Sequence, residues 1–162
     1  METTYTITED DYAGAMKLFH KITPGKATVY AIVTMALMLT AFSGLEIISA
    51  GASGGLIGIF LLLVPGRLIA MPFLAKRQYR KYKAIQEPVT VQLTDEGINF
   101  TTADGGGIIR WEKLLKWRQN EKYILVYPMP KLFHIIPARV VDSGFDIQAL
   151  VKLLESRVGK KA

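Results

Sequence analysis

ATVYAIVTMALMLTAFSGLEIISAGASGGLIGIFLLLVPGRLIAMPFLA, running from Ala27 to Ala75, decides the first reading of this chain. It lies between Lys26 and Lys76 and contains two charged residues, Glu46 and Arg67. One helical crossing of a bilayer needs about 20 predominantly apolar residues, so the stretch has the length of two. The sequence therefore predicts a transmembrane hairpin. Its first span is Ala27 to Ile48, its turn Ser49 to Gly55, and its second span Leu56 to about Leu74. Gly51/Gly55 and Gly54/Gly58 have the small-xxx-small spacing that lets helices pack closely; alternatively, these glycines only make the turn. Arg67 reads either as a side chain snorkelling to the headgroups or as a contact for a partner.

The flanks carry the positive charge. Lys17, Lys21 and Lys26 precede the apolar stretch, and Lys76, Arg77, Arg80, Lys81 and Lys83 follow it, with Tyr79 and Tyr82 interleaved. The turn has no Lys or Arg. By the positive-inside rule this places both termini of a multi-pass chain in the cytoplasm. The basic segment 76–83 is a candidate site for anionic lipid headgroups, each charge worth about 1 kcal/mol near the surface. Its place beside a predicted span argues against nucleic acid as its ligand.

Four segments follow: residues 1–24, a strand and an amphipathic helix; 25–75, the hairpin; 76–87, a basic linker; and 88–162, a β-sheet domain. Thr3 to Thr8 alternates threonine with tyrosine and isoleucine, which suits a strand. Thr8-x-x-Asp11 has the form of a capping box, and Tyr12, Met16 and Phe19 then recur at helical spacing. From Pro88 the pattern turns to alternation: Val89–Leu93, Ile98–Thr102, Ile108–Trp111, Lys116–Gln119, Tyr123–Pro128 and Leu132–Pro137 read as strands. Ala103–Gly107 reads as a turn. Asp142 or Ser143 opens a final helix whose apolar face holds Phe145, Ile147, Leu150, Val151, Leu154 and Val158. The N-terminal strand needs a partner for its backbone groups and is expected to join the C-terminal sheet. The fold class is thus an α+β membrane protein, a two-helix hairpin with a cytosolic antiparallel sheet capped by a C-terminal helix.

The opening T-E-D-D-Y (Thr8–Tyr12), the hairpin, the basic R-x-x-R-K segment, L-T-D-E-G-I (Leu93–Ile98), R-W-E-K-L (Arg110–Leu115) and F-H-I-I-P-A-R (Phe133–Arg139) together resemble the YcxB-like family of bacterial membrane proteins. Ala138 departs from that family's lysine, and the last run has one extra apolar residue. The resemblance implies a bacterial inner membrane as the location and a domain of pleckstrin-homology-like shape, and it brings no activity and no catalytic residues.

The chain has no cysteine, which excludes disulfides and thiol chemistry. His20 and His134 have no second histidine at ligand spacing, so no metal or other cofactor is expected. Gly105-Gly106-Gly107 lacks the Lys-Ser/Thr of a phosphate loop, and Ser143 lacks the context of a nucleophile elbow. Trp111 and Trp117 stand among Arg110, Lys113, Lys116 and Arg118; they read as core residues or as a basic-aromatic surface for a partner. Three functions remain in view. The first is a non-catalytic binding module contacting lipid headgroups or another membrane protein. The second is an immunity protein against a bacterial toxin, and the third an enzyme, which the missing constellation disfavours.

Overall fold

Alternating threonine and tyrosine make Glu2–Thr6 the first strand, β1, with Thr3 and Tyr5 turned inward and Glu2, Thr4 and Thr6 outward. The structure is a computed structural model and describes residues 1–20, 24–42, 55, 58 and 70–161. The chain divides into two units, one of Met1–Phe19 with Phe73–Ala162 and one of His20–Pro72.

In the first unit, helix α1 (Glu9–Phe19) opens on the capping box read from the sequence. The Thr8 N–H donates to the Asp11 carboxylate at 2.9 Å and the Asp11 N–H to the Thr8 hydroxyl at 3.1 Å. Residues 70–81 are helical (α3), and a 3-10 turn, Lys83–Gln86, leads into β2 (Pro88–Leu93). Strands β3 (Gly97–Thr102) and β4 (Gly105–Arg110) complete an antiparallel sheet of order β1-β2-β3-β4. β1 pairs with β2 from Glu2↔Gln92 to Thr6↔Pro88, as its need for a partner predicts. Strands β5 (Lys116–Gln119), β6 (Tyr123–Met129) and β7 (Leu132–Pro137) form a second antiparallel sheet. The reading as one sheet is corrected to two: the chain leaves β4 through the 3-10 turn Trp111–Lys113 and starts a separate ladder.

β6 is buried from Tyr123 to Tyr127 on both of its faces. Helix α1 covers one face. A Cβ on Gly14 would stand 2.6 Å from Tyr123 Cε2, so glycine is what lets the helix approach. The carbonyls of Leu18 and Phe19, at the helix end, accept from Arg118 Nη1 at 3.1 and 3.0 Å. The last helix, α4 (Ile147–Arg157), is capped by Asp146, whose carboxylate accepts from the Ala149 N–H at 2.9 Å. Asp142 and Ser143 belong instead to a 3-10 turn, Ala138–Ser143, ended by Gly144 at φ 80°. The glycines of 105–107 are also reassigned. The turn is Ala103–Asp104, and the glycines are the first half of β4.

In the second unit, helix α2 (Pro24–Phe42) exposes Val29, Ile32, Met35 and Leu39. Among the described residues no helix is long and apolar enough to cross a membrane. In α2 the apolar part runs from Ala27 to Phe42, about 24 Å at 1.5 Å per residue, against the ~30 Å of a hydrocarbon core. In α3 the end of the helix carries Lys76, Arg77, Arg80 and Lys81. This overturns the two-helix transmembrane hairpin, the membrane fold class, the multi-pass inner-membrane placement and the cytoplasmic assignment of the termini that rested on it. Glu46 and the turn before Gly55 lie outside the described residues.

Asp11 is 6 % exposed and ion-paired with Arg139, whose Nη2 also donates to the Thr6 carbonyl at 2.7 Å. Burial pushes its carboxyl up, but bonds from Arg139 and Thr8 outweigh this and hold it below the ordinary 3.8. A lowered pKa in the folded state stabilises above the unfolded value, and that contribution is lost as pH falls through the folded one. Asp11→Asn removes the ion pair and weakens the cap, an expected loss of roughly 2–3 kcal/mol at pH 7 after allowing for the half-exposed Arg139. Urea melts at stepped pH should show the wild type approaching the variant below pH ~3.8; parallel curves down to pH 2 would refute the assignment.

Candidate functional site

Between the two sheets lies a cleft of about 750 Å³, within the range of small-molecule sites, walled by residues of the first unit. Its origin is in the register of β3 and β4. Phe100 faces Gly107 and Thr102 faces Gly105 across the ladder, and paired residues share a face. Two glycines therefore stand where the inner face of β4 would carry side chains. A Cβ added at either meets no described atom within 4 Å. The second sheet closes the opposite wall with β7, where the His134 ring stacks on Phe100 at 4.3 Å between centroids. Phe133 stacks on Phe19 at 5.0 Å, which joins the end of α1 to the same wall.

The chemistry of the cleft is apolar and aromatic with few polar points. Tyr5 donates its hydroxyl to the Ile135 carbonyl at 2.7 Å, and burial pushes that phenol far up. Burial pushes the His134 imidazole down from 6.5, so it is neutral at pH 7. Among the described residues of the lining, Lys131 is the only charged one and none is a carboxylate. Among the described residues no group of His, Asp and Glu could hold a metal ion.

The residues singled out in the sequence are not brought together. Lys76 is bonded to Asp10 at 2.7 Å, and Arg80 to Glu9 at 2.9 Å. Two of the five proposed lipid-binding cations thus tie α3 to the first turn of α1. Arg77, Lys81 and Lys83 are exposed and have no ion pair among the described residues. Trp111 and Trp117, 3 % and 0 % exposed, belong to the core and not to a partner surface. Their indole N–H groups are satisfied inside, by the Asp95 carbonyl at 3.1 Å and the Gly159 carbonyl at 2.7 Å. No described atom comes close enough to Gly55 or Gly58 to indicate helix packing there. Gly51, Gly54 and Arg67 lie outside the described residues. The signal of the cleft is two small residues at alternate positions of a strand facing an aromatic, and in sequence a run of glycines reads first as a turn.

With the geometry in place, comparison with protein families adds one finding. The family model described as YcxB-like protein matches residues 93–154. The C-terminal part of the chain, β3 through most of α4, therefore carries a YcxB-like domain. Comparison with curated proteins and with solved structures finds no match, so the pleckstrin-homology-like shape implied above gains no support from either.

Behind the aromatic wall, the Tyr127 hydroxyl and Arg118 Nε are buried without a hydrogen-bond partner among the described residues. The Tyr127 ring stacks on Phe19 at 6.1 Å and meets Phe133 at 5.5 Å. An unpartnered buried hydroxyl is a net cost, while a partnered one stabilises. Tyr127→Phe should therefore raise stability by up to about 1 kcal/mol, and Tyr5→Phe, which strips a donor from the Ile135 carbonyl, should lower it by about 1–2 kcal/mol. Chemical denaturation of the two variants checks the opposite signs; a loss at Tyr127 equal to that at Tyr5 would mean the hydroxyl has a partner.

Proposed function

We propose that this protein is a non-catalytic binding module and that its ligand is an apolar group of a partner protein, held in the cleft between the sheets. The observation that carries the reading is the glycine-floored space beside Phe100. An apolar core fills its volume, and here two alternate positions of one strand leave room that a visiting side chain can occupy. The neutral, ring-stacked His134 and the absence of carboxylates from the lining favour binding over acid–base chemistry. Lys131 at the rim suits a partner that carries a carboxylate near its apolar group. The anionic-lipid reading of segment 76–83 is the weaker of the two, since Lys76 and Arg80 already have partners.

N-acetylphenylalaninamide, a minimal mimic of a peptide-borne aromatic side chain, is a suitable probe. In the isoleucine-methyl-labelled full chain it should shift the resonances of Ile109 and Ile135, which line the cleft, and spare Ile124 and Ile136, which do not. Gly107→Leu fills the floor without backbone strain and should abolish the shifts. Shifts that survive Gly107→Leu, or that never appear at millimolar probe, would count against the cleft as the binding site.

A further inference from the structure

Each sheet ends in strands with one unpaired edge, and such edges are templates for another strand unless they are covered or charged. β1 is covered in part, since Arg139 donates to its Thr6 carbonyl and the 3-10 turn Ala138–Ser143 packs against it. In the second sheet, β5 carries Lys116 and Arg118, and β7 ends at Pro137 and pairs with β6 through an irregular register near Met129. β4 stands apart. Gly105, Gly106, Gly107 and Ile108 are all exposed, and no proline, bulge or charged side chain interrupts them. The Trp111 N–H donates to the Glu96 carbonyl at 3.1 Å, which sets the phase of the ladder. Odd-numbered residues of β4 turn their backbone toward β3, and Gly106 and Ile108 turn theirs outward.

The two ends of this edge are of opposite charge. Asp104 precedes β4 and Arg110 ends it; both are exposed, and neither has an ion pair among the described residues. An antiparallel copy of the same strand reverses that order. We infer that β4 is a self-complementary edge and that two copies of this chain associate through it, joining their four-stranded sheets into one of eight strands. With Gly107 at the two-fold axis, the outward-turned Ile108 of each copy pairs with Gly106 of the other. Arg110 of each copy comes beside Asp104 of the other, twice by symmetry. On the outer face the two Ile108 side chains, 42 % exposed in the single chain, become diagonal neighbours and cover each other. Glycines at 105–107 put no side chain in the way of a strand arriving at ~4.8 Å. The same strand borders the cleft, whose lining includes Gly105, Gly106, Gly107 and Ile108, but the inference rests on the strand's edge and not on that space.

Sedimentation velocity of the full chain over a concentration series is the test. The wild type should reach a dimer. Asp104→Arg and Arg110→Asp each turn two opposite-charge contacts into like-charge ones and should each raise the dimer dissociation constant about tenfold or more. Mixed in equal amounts, the two variants should pair with each other and recover dimer, because every Arg then meets an Asp. That recovery also shows that neither variant has lost its fold. A monomeric wild type, or a dimer indifferent to the single changes and formed through some other surface such as α2, would overturn the inference.

Discussion

The Asp11 carboxylate is the point where three parts of the first unit are tied. It caps α1 together with Thr8, it holds Arg139 from the turn after β7, and through Arg139 it fixes the end of β1. A carboxylate 6 % exposed can stay ionised only if its desolvation is offset by such partners. The three connections therefore depend on one another. If Arg139 is lost, a buried charge stands alone; if the cap is lost, the helix that covers β6 starts without its first bonds. Tyr5 and Tyr79, bonded to the Ile135 and Ile7 carbonyls, make the same junction with neutral groups.

The middle strand of the second sheet is packed on both faces, whereas the first sheet is packed fully only where β1, β2 and β3 supply large side chains. Val91, Ile98 and Phe100 are buried at 0–6 % exposure. Beyond Phe100 the inner face passes to Gly107 and Gly105, and the apolar layer thins out just where β7 presents His134 and Phe133. The cleft is thus a consequence of composition along one strand. No strained backbone is needed at Gly107, so glycine there is not required by the turn geometry of the hairpin.

Much of the first unit could be read from residues alone, because its signals are local. Thr8-x-x-Asp11 encodes a cap in four residues, and alternation from Val89 onward encodes strands at nearly their observed bounds. The pairing of β1 followed from the need of any strand for a neighbour. What escaped the reading was non-local or small. Glycine signals turns by default, so Gly105–Gly107 was placed in the loop and the cleft with it. Trp111 and Trp117 sit among basic neighbours in sequence, yet Trp117 turns inward on β5 and Trp111 inward from the 3-10 turn after β4, while Arg110 and Lys113 stay exposed. Lys76 and Arg80 looked free because Asp10 and Glu9 lie more than sixty residues away along the chain. The apolar stretch 27–75 was read by its length and lack of charge, whereas its first helix already opens at Pro24-Gly25-Lys26.

The register of β1 also orders events in time. Thr4 lies 86 residues from Thr90, whose hydroxyl it meets at 2.8 Å. β1 therefore waits for its partner until residues 88–93 have been made. Closing so long a loop slows folding more than it weakens the final state. Until β2 has been made, residues 2–6 remain an open edge rich in β-forming side chains, while α1, held by its own cap, has no such wait. The hairpins β2–β3–β4 and β5–β6–β7 are local and can form as they emerge. The β1–β2 ladder is thus the long-range step in a sheet whose other two ladders are local hairpins.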